Sequence, residues 1–174
     1  MYLISVYFDD NANKIITRYV ERIAAITGNT YMVDNQVPPH MTISSVEARS
    51  GEVLIPHVKT LENTIKCGEI HFVSVGMFLP YVMYLTPVLN EYLMDMSERV
   101  YRAVCDVPDV SISKVYQPMQ WLPHITLGKK LDKEQMRKAF QVMQEGFGPF
   151  TAEIVKMGLA STNPHRDIIA FRMR

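Results

Sequence analysis

Two short stretches of this chain have the residue types for acid–base chemistry on a phosphate. They read Pro39-His40-Met41-Thr42 and Pro123-His124-Ile125-Thr126, each Pro-His-apolar-Thr, and the two histidines stand 84 positions apart, 40 against 124. An imidazole titrates near neutrality, so it can donate or accept a proton there. In-line displacement at phosphorus needs one group to deprotonate the nucleophile and another to protonate the leaving oxygen. A neutral and a protonated histidine supply both without a metal. Threonine hydroxyls donate to non-bridging oxygens, and an imidazolium beside them stabilises the charge that develops.

For these groups to meet, each motif must lie on a strand. Side chains two apart on a strand share a face. His40 then points with Thr42, and His124 with Thr126, while Met41 and Ile125 turn into a core layer. The apolar pattern predicts the elements around them. A strand covers 2–8, and a helix covers about 12–27, with Ile15, Ile16, Tyr19, Ile23 and Ile26 on one side and Gly28-Asn29 as its stop. The first motif strand is 40–46, followed by a helix over about 52–66 and strands over 69–79 and 82–86. The order then repeats: a helix at about 88–105 starting its apolar face at Leu89, a loop rich in Pro and polar residues, and the motif strand at 124–128. Asp132 caps a helix over 133–145 with Met136, Phe140 and Met143 inward, and strands over 150–160 and 167–173 close the chain.

Val73-Ser74-Val75-Gly76-Met77-Phe78 resembles Val155-Lys156-Met157-Gly158-Leu159-Ala160, and the two glycines lie 82 apart, 76 against 158. This offset nearly equals that of the histidines. It points to an internal duplication: one domain over 1–174 made of two α+β lobes, about 1–87 and 88–174, with strands able to exchange between them.

Composition narrows the partners. The chain has 174 residues, 48% hydrophobic and 21% charged, as ordinary globular proteins do. Lys plus Arg number 18 and so do Asp plus Glu, which argues against coating long nucleic acid but leaves room for a small nucleotide or an RNA end. Cys67 and Cys105 form no Cys-x-x-Cys pair, so a reducing, cytoplasmic setting fits. The first ten residues lack a basic n-region, and the apolar stretch 70–89 is broken by Gly76, Pro80 and Pro87, so neither a signal peptide nor a membrane span is expected.

At the two motifs the chain resembles the 2H phosphoesterase superfamily. Its members include the RNA 2′,3′-cyclic phosphodiesterases historically called 2′-5′ RNA ligases, and their signature is two His-x-Thr/Ser motifs about half a chain apart. The resemblance covers nearly the whole chain. It implies a bilobal α+β fold with pseudo-two-fold symmetry, antiparallel sheets facing a central cleft and helices outside. It also implies metal- and cofactor-independent opening of a 2′,3′-cyclic phosphate, commonly to a 2′-phosphomonoester. His40 and His124 would then be the acid–base pair, and Thr42 and Thr126 would hold the phosphate. The substrate would be a small nucleotide or an RNA 3′-end, and a monomer is expected. A non-catalytic nucleotide or RNA-end binding module, and a 2′-5′ phosphodiester ligase or hydrolase, stay open as alternatives. So does which histidine is the base.

Other residues complete the candidate set. Trp121 and Tyr116, flanking Gln117 and Gln120 before the second motif, are candidates to stack on a base. Tyr7 and Tyr81 are candidates to line the cleft, with packing the favoured reading, and Lys114 is a phosphate-contact candidate, with solvation favoured. Arg49 and Lys129-Lys130 are the basic residues nearest the motifs, and the lysines read as a solvated strand end. Asn163-Pro164-His165-Arg166 reads as a turn between the last two strands, with Arg166 a phosphate candidate at the cleft rim. His57, His71 and His165 lack the motif, and a metal site on His40 and His124 lacks a carboxylate or Cys nearby in sequence.

Overall fold

The strand that opens the chain, β1 (Tyr2–Phe8), is buried from Ile4 to Phe8 because it is central, paired on one edge with β2 (Met41–Glu47) and on the other with β7 (Phe150–Ser161). In this computed structural model residues 1–162 and 165–174 are described, so the expected turn over 163–166 falls partly outside the described residues. All the ladders are antiparallel. With β3 (Gly68–Phe78), β4 (Val82–Pro87), β5 (Ser111–Ile112), β6 (Ile125–Gly128) and β8 (Arg166–Arg172), they form one unclosed path, β5-β2-β1-β7-β3-β4-β6, with β8 added on β7. The motif strands β2 and β6 lie near opposite ends of this path, yet they come into contact. The sheet therefore curls until its two ends face each other, and the class is the α+β fold expected.

Helices form where the capping residues stand. Asp9 opens α1 (Asp10–Thr27) by accepting from the amides of Asn11 and Ala12, each at 2.9 Å, and Gly28 closes it in the left-handed region. A short helix, α2 (Tyr31–Asp34), follows. Asn90 caps α4 (Glu91–Val104), and Asp132 with Gln135 makes a reciprocal capping box on α5 (Lys133–Gly146).

The helix expected over 52–66 does not run through. It is a 3₁₀ turn at Gly51–Val53, α3 (Ile55–Lys59), then turns. The Thr60 hydroxyl donates to the His57 carbonyl and the Thr64 hydroxyl to that of Leu61, while Asn63 takes a positive φ of 68°. These local bonds compete with the helical ladder. Phe140, expected inward on α5, is exposed, and Ala139 and Val142 fill that face with Met136 and Met143. Leu89 precedes the Asn90 cap and is also exposed.

With α2, β5, β8 and the 3₁₀ turns set aside, the order β1-α1-β2-α3-β3 is followed by β4-α4-β6-α5-β7. The helices cross over. α1 packs with α5 and against β6, while α4 packs against β2. A single core joins them, with Phe72 at its centre in ring contact with both Phe8 and Phe150. Among the described residues no helix is long and apolar enough to cross a membrane.

Candidate active site

Both motif histidines are held in the same way. His40 Nδ1 lies 2.8 Å from the Pro38 carbonyl, and His124 Nδ1 lies 2.8 Å from the Leu122 carbonyl. A carbonyl can only accept, so each Nδ1 carries the hydrogen and each Nε2 is left to exchange a proton. In both cases the accepting carbonyl belongs to the residue before the motif proline, Pro39 or Pro123. A proline's ring fixes φ and disfavours helix in the residue before it, which presets that carbonyl. The second loop is tied further by the Thr86 hydroxyl, which donates to the Pro123 carbonyl at 2.9 Å.

The strand ladders then place the threonines. Gly158 faces Ser5, and Ser5 faces Thr42; likewise Gly76 faces Tyr84, and Tyr84 faces Thr126. The glycine offset in the sequence is thus a matched cross-strand row behind each motif. Gly76 is needed because a Cβ there would collide with the ring of Tyr84. Thr42 is buried, its hydroxyl 3.4 Å from that of Ser5. His40, Thr42, His124 and Thr126 all line one cleft of about 720 Å³.

The two imidazoles have different neighbours. His124 meets Phe78 edge to face, centroids 4.8 Å apart, and Tyr84 at 5.4 Å. His40 stacks on His165, centroids 4.9 Å apart, with Tyr7 at 6.5 Å. Burial pushes the His40 pKa down to about 4, against the Pro38 hydrogen bond and helped by the other two imidazoles. Burial also lowers that of His124, opposed by the Leu122 carbonyl. Both are therefore neutral near pH 7.

The remaining candidates divide. Tyr116 lines the cleft, half-buried, in a 3₁₀ turn over Lys114–Tyr116. Lys129 and Lys130 also line it, rather than forming a purely solvated strand end, and the Lys130 ammonium sits 4.5 Å over the Tyr31 ring. Trp121 does not offer its face to the cleft. It is buried, it borders a separate depression with Leu89, Met94 and Met119, and its indole N–H donates to the Thr42 carbonyl at 2.9 Å. Arg166 is exposed at the start of β8, off the cleft wall, with its carbonyl accepting from Ser161. The adjacent His165 takes the place on the wall. His165 is the turn residue just before β8, and Arg166 is the first residue of that strand. Among the described residues no three His, Cys, Asp or Glu side chains converge as a metal site would need.

This fold, with a repeated His-x-Thr wall on each side of one cleft, defines a class. The chain belongs to the 2′-5′ RNA ligase superfamily, whose family model matches residues 14–166. Among solved structures it is similar to the protein TT0787 of Thermus thermophilus, at 15% identity over 99% of this chain and 97% of that one, with a TM-score of 0.66. It is also similar to E. coli LigT complexed with 3′-AMP, at 12% identity, 99% and 97% coverage and a TM-score of 0.64. Kluyveromyces marxianus Usb1 matches at 12% identity, 96% of each chain and a TM-score of 0.51. No curated protein matches the chain by sequence.

Proposed function

We propose that this protein is a metal-independent phosphoesterase that opens a 2′,3′-cyclic phosphate on a small nucleotide or an RNA 3′-end. The observation that carries the reading is the matched pair of Nδ1–carbonyl hydrogen bonds, which leaves two Nε2 atoms on one cleft. One neutral imidazole takes a proton from water as the water oxygen attacks phosphorus. The other, protonated, gives its proton to the ribose 3′-oxygen as the P–O3′ bond breaks, leaving a 2′-phosphomonoester. Thr42 and Thr126 donate to the non-bridging oxygens, whose charge grows in the transition state.

An anionic phosphodiester explains how the proton-donating form arises. Its negative charge favours the imidazolium and offsets the burial that keeps the empty site neutral. The cleft volume, about 720 Å³, falls inside the range of small-ligand sites, roughly 300–1,000 Å³. Lys129 and Lys130 give a locally basic rim on a chain of zero net charge, which suits a short end better than a long strand. That E. coli LigT was solved with 3′-AMP is consistent with a nucleotide-sized occupant.

The test is turnover, in EDTA, of a panel of nucleoside 2′,3′-cyclic phosphates, cyclic-phosphate RNA ends and ADP-ribose cyclic phosphate. Metal-independent release of a 2′-phosphomonoester is expected. Saturable binding of the 2′-phosphate with no turnover of any member by folded protein would make this a binding module instead.

A further inference from the structure

His165 carries no motif, yet it stands in the cleft beside His40. The two rings are 4.9 Å apart at 30° between planes, and the His165 side chain is only 13% exposed. Its Nε2 lies 3.5 Å from the Tyr7 hydroxyl and 3.8 Å from Asp167 Oδ1. Asp167 is itself fixed: it accepts from the Tyr7 hydroxyl and, at 3.2 Å, from the Lys156 ammonium, which also sits 4.4 Å over the Tyr7 ring. The Asp167 charge also reaches His40, but the pairing contact of that carboxylate is with His165, and the hydrogen bond of His40 is to the Pro38 carbonyl. His124, across the cleft, packs on Phe78, which cannot ionise.

We propose that His165 is a third ionisable group of this site, which takes the proton of the stacked imidazole pair, keeps His40 in its neutral, proton-accepting form and presents positive charge to the substrate phosphate. The proposal rests on the phosphoesterase reading of the cleft and names a residue that the repeated motif does not contain.

The physical argument concerns one proton and two rings. Stacked imidazoles titrate as a coupled pair, because charging both sets like charges against each other. The first proton goes to the ring with an anion behind it, and Asp167 stands behind His165. The other groups facing His165 do not cancel this. Tyr7 stays neutral because burial and the Asp167 carboxylate push its pKa up, and Lys156 already pairs with Asp167. Across the cleft are His124 and the ammonium groups of Lys129 and Lys130. In the empty site burial still lowers the His165 pKa, with Asp167 opposing it and Lys156 adding to it. A bound phosphate supplies the missing negative charge. Nε2 has the Tyr7 hydroxyl at 3.5 Å, so the proposal gives the phosphate to Nδ1.

The test is an NMR titration of the imidazole signals in the full chain, wild type against His165→Phe, His165→Gln and Asp167→Asn, with inorganic phosphate and 2′-AMP as probes. His165→Phe keeps a ring on His40 and removes the charge. It should raise the apparent pKa of His40 by roughly half a unit to one unit. It should also weaken phosphate binding at pH 6 by about tenfold or more, as losing a charged hydrogen bond does. The acid limb of kcat/KM should move up with the His40 titration, a change that a purely packing residue would not cause. Asp167→Asn should lower the pKa of His165. If the Phe variant does not fold, His165→Gln tests the same loss of charge.

An unaltered His40 titration and unaltered phosphate affinity in a folded His165 variant would overturn the proposal, even if turnover persists. Absence of turnover in the wild type would strike the phosphoesterase reading alone, since the titration needs no reaction.

Discussion

Trp121 donates its indole N–H to the main-chain carbonyl of Thr42 at 2.9 Å. Trp121 lies three residues before His124, and Thr42 two after His40. This one buried bond therefore ties the loop that enters the second motif to the strand that carries the first. The spacing of the two halves of the cleft depends on a side chain that does not face it.

Trp121→Phe should keep most of the packing and leave the Thr42 carbonyl without this donor. Losing a buried partner costs about 1–3 kcal/mol. Denaturant unfolding should show that loss. Turnover should also fall, because both motifs lose their common anchor. Unchanged stability and activity would remove the bond from any role.

The imidazole pair should behave as a catalytic unit. His40→Ala and His124→Ala should each reduce turnover of a nucleoside 2′,3′-cyclic phosphate by about 10²–10⁴-fold. Thermal unfolding should shift little, since both histidines are only partly buried at the cleft wall. A variant that retained near-native rate would remove that histidine from the reaction.

Gly76→Ala should be costly through Tyr84, whose ring occupies the space of the new Cβ. Overpacking of this kind costs about 1–3 kcal/mol, and the displaced ring would press on Phe78 and His124, its aromatic neighbours. Adding Tyr84→Leu should recover much of the stability. A double-mutant cycle measures this; additive effects would contradict the contact.

Acid should destabilise the empty protein in a defined window. Burial holds the folded pKa of His40 at about 4 and lowers those of His124 and His165, whereas an unfolded imidazole titrates near 6.5. Between these values the unfolded chain binds more protons, so stability is full above about pH 6.5 and falls as pH drops towards 4. For His40 alone the loss reaches roughly 3 kcal/mol at the acid end. Urea titrations at pH 7.5 and 4.5 should show it, with a flatter dependence in His40→Gln. Bound phosphate should reverse the trend, taking up protons and binding more tightly as pH falls from 7 to 5.5, which calorimetry in buffers of different ionisation heat detects.

Much of this arrangement is written in local patterns. Period two places His40 with Thr42 and His124 with Thr126, and Asp132 is readable as a cap from its own neighbourhood. What escapes depends on contacts distant in the chain. His165, the turn residue just before β8, comes to the wall once β8 joins β7, whereas the sequence offers Arg166 instead, since charge is visible in a sequence and long-range strand pairing is not. Trp121 reads as a stacking face until its N–H meets a carbonyl 79 positions away. The stretch 52–66 has the apolar spacing of a helix, but Thr60, Asn63 and Thr64 satisfy the backbone in other ways.

The continuity of the sheet sets a limit on how this molecule can work. Backbone pairing from Gly68 with Ile154 to Phe72 with Phe150 joins β3 to β7 across the middle of the sheet. α1 also packs on β6, and α4 on β2. The two walls of the cleft are thus fastened in a frame, like the jaws of a fixed gauge. The spacing of the imidazoles is thereby tied to strand pairing that runs unbroken from β2 to β6.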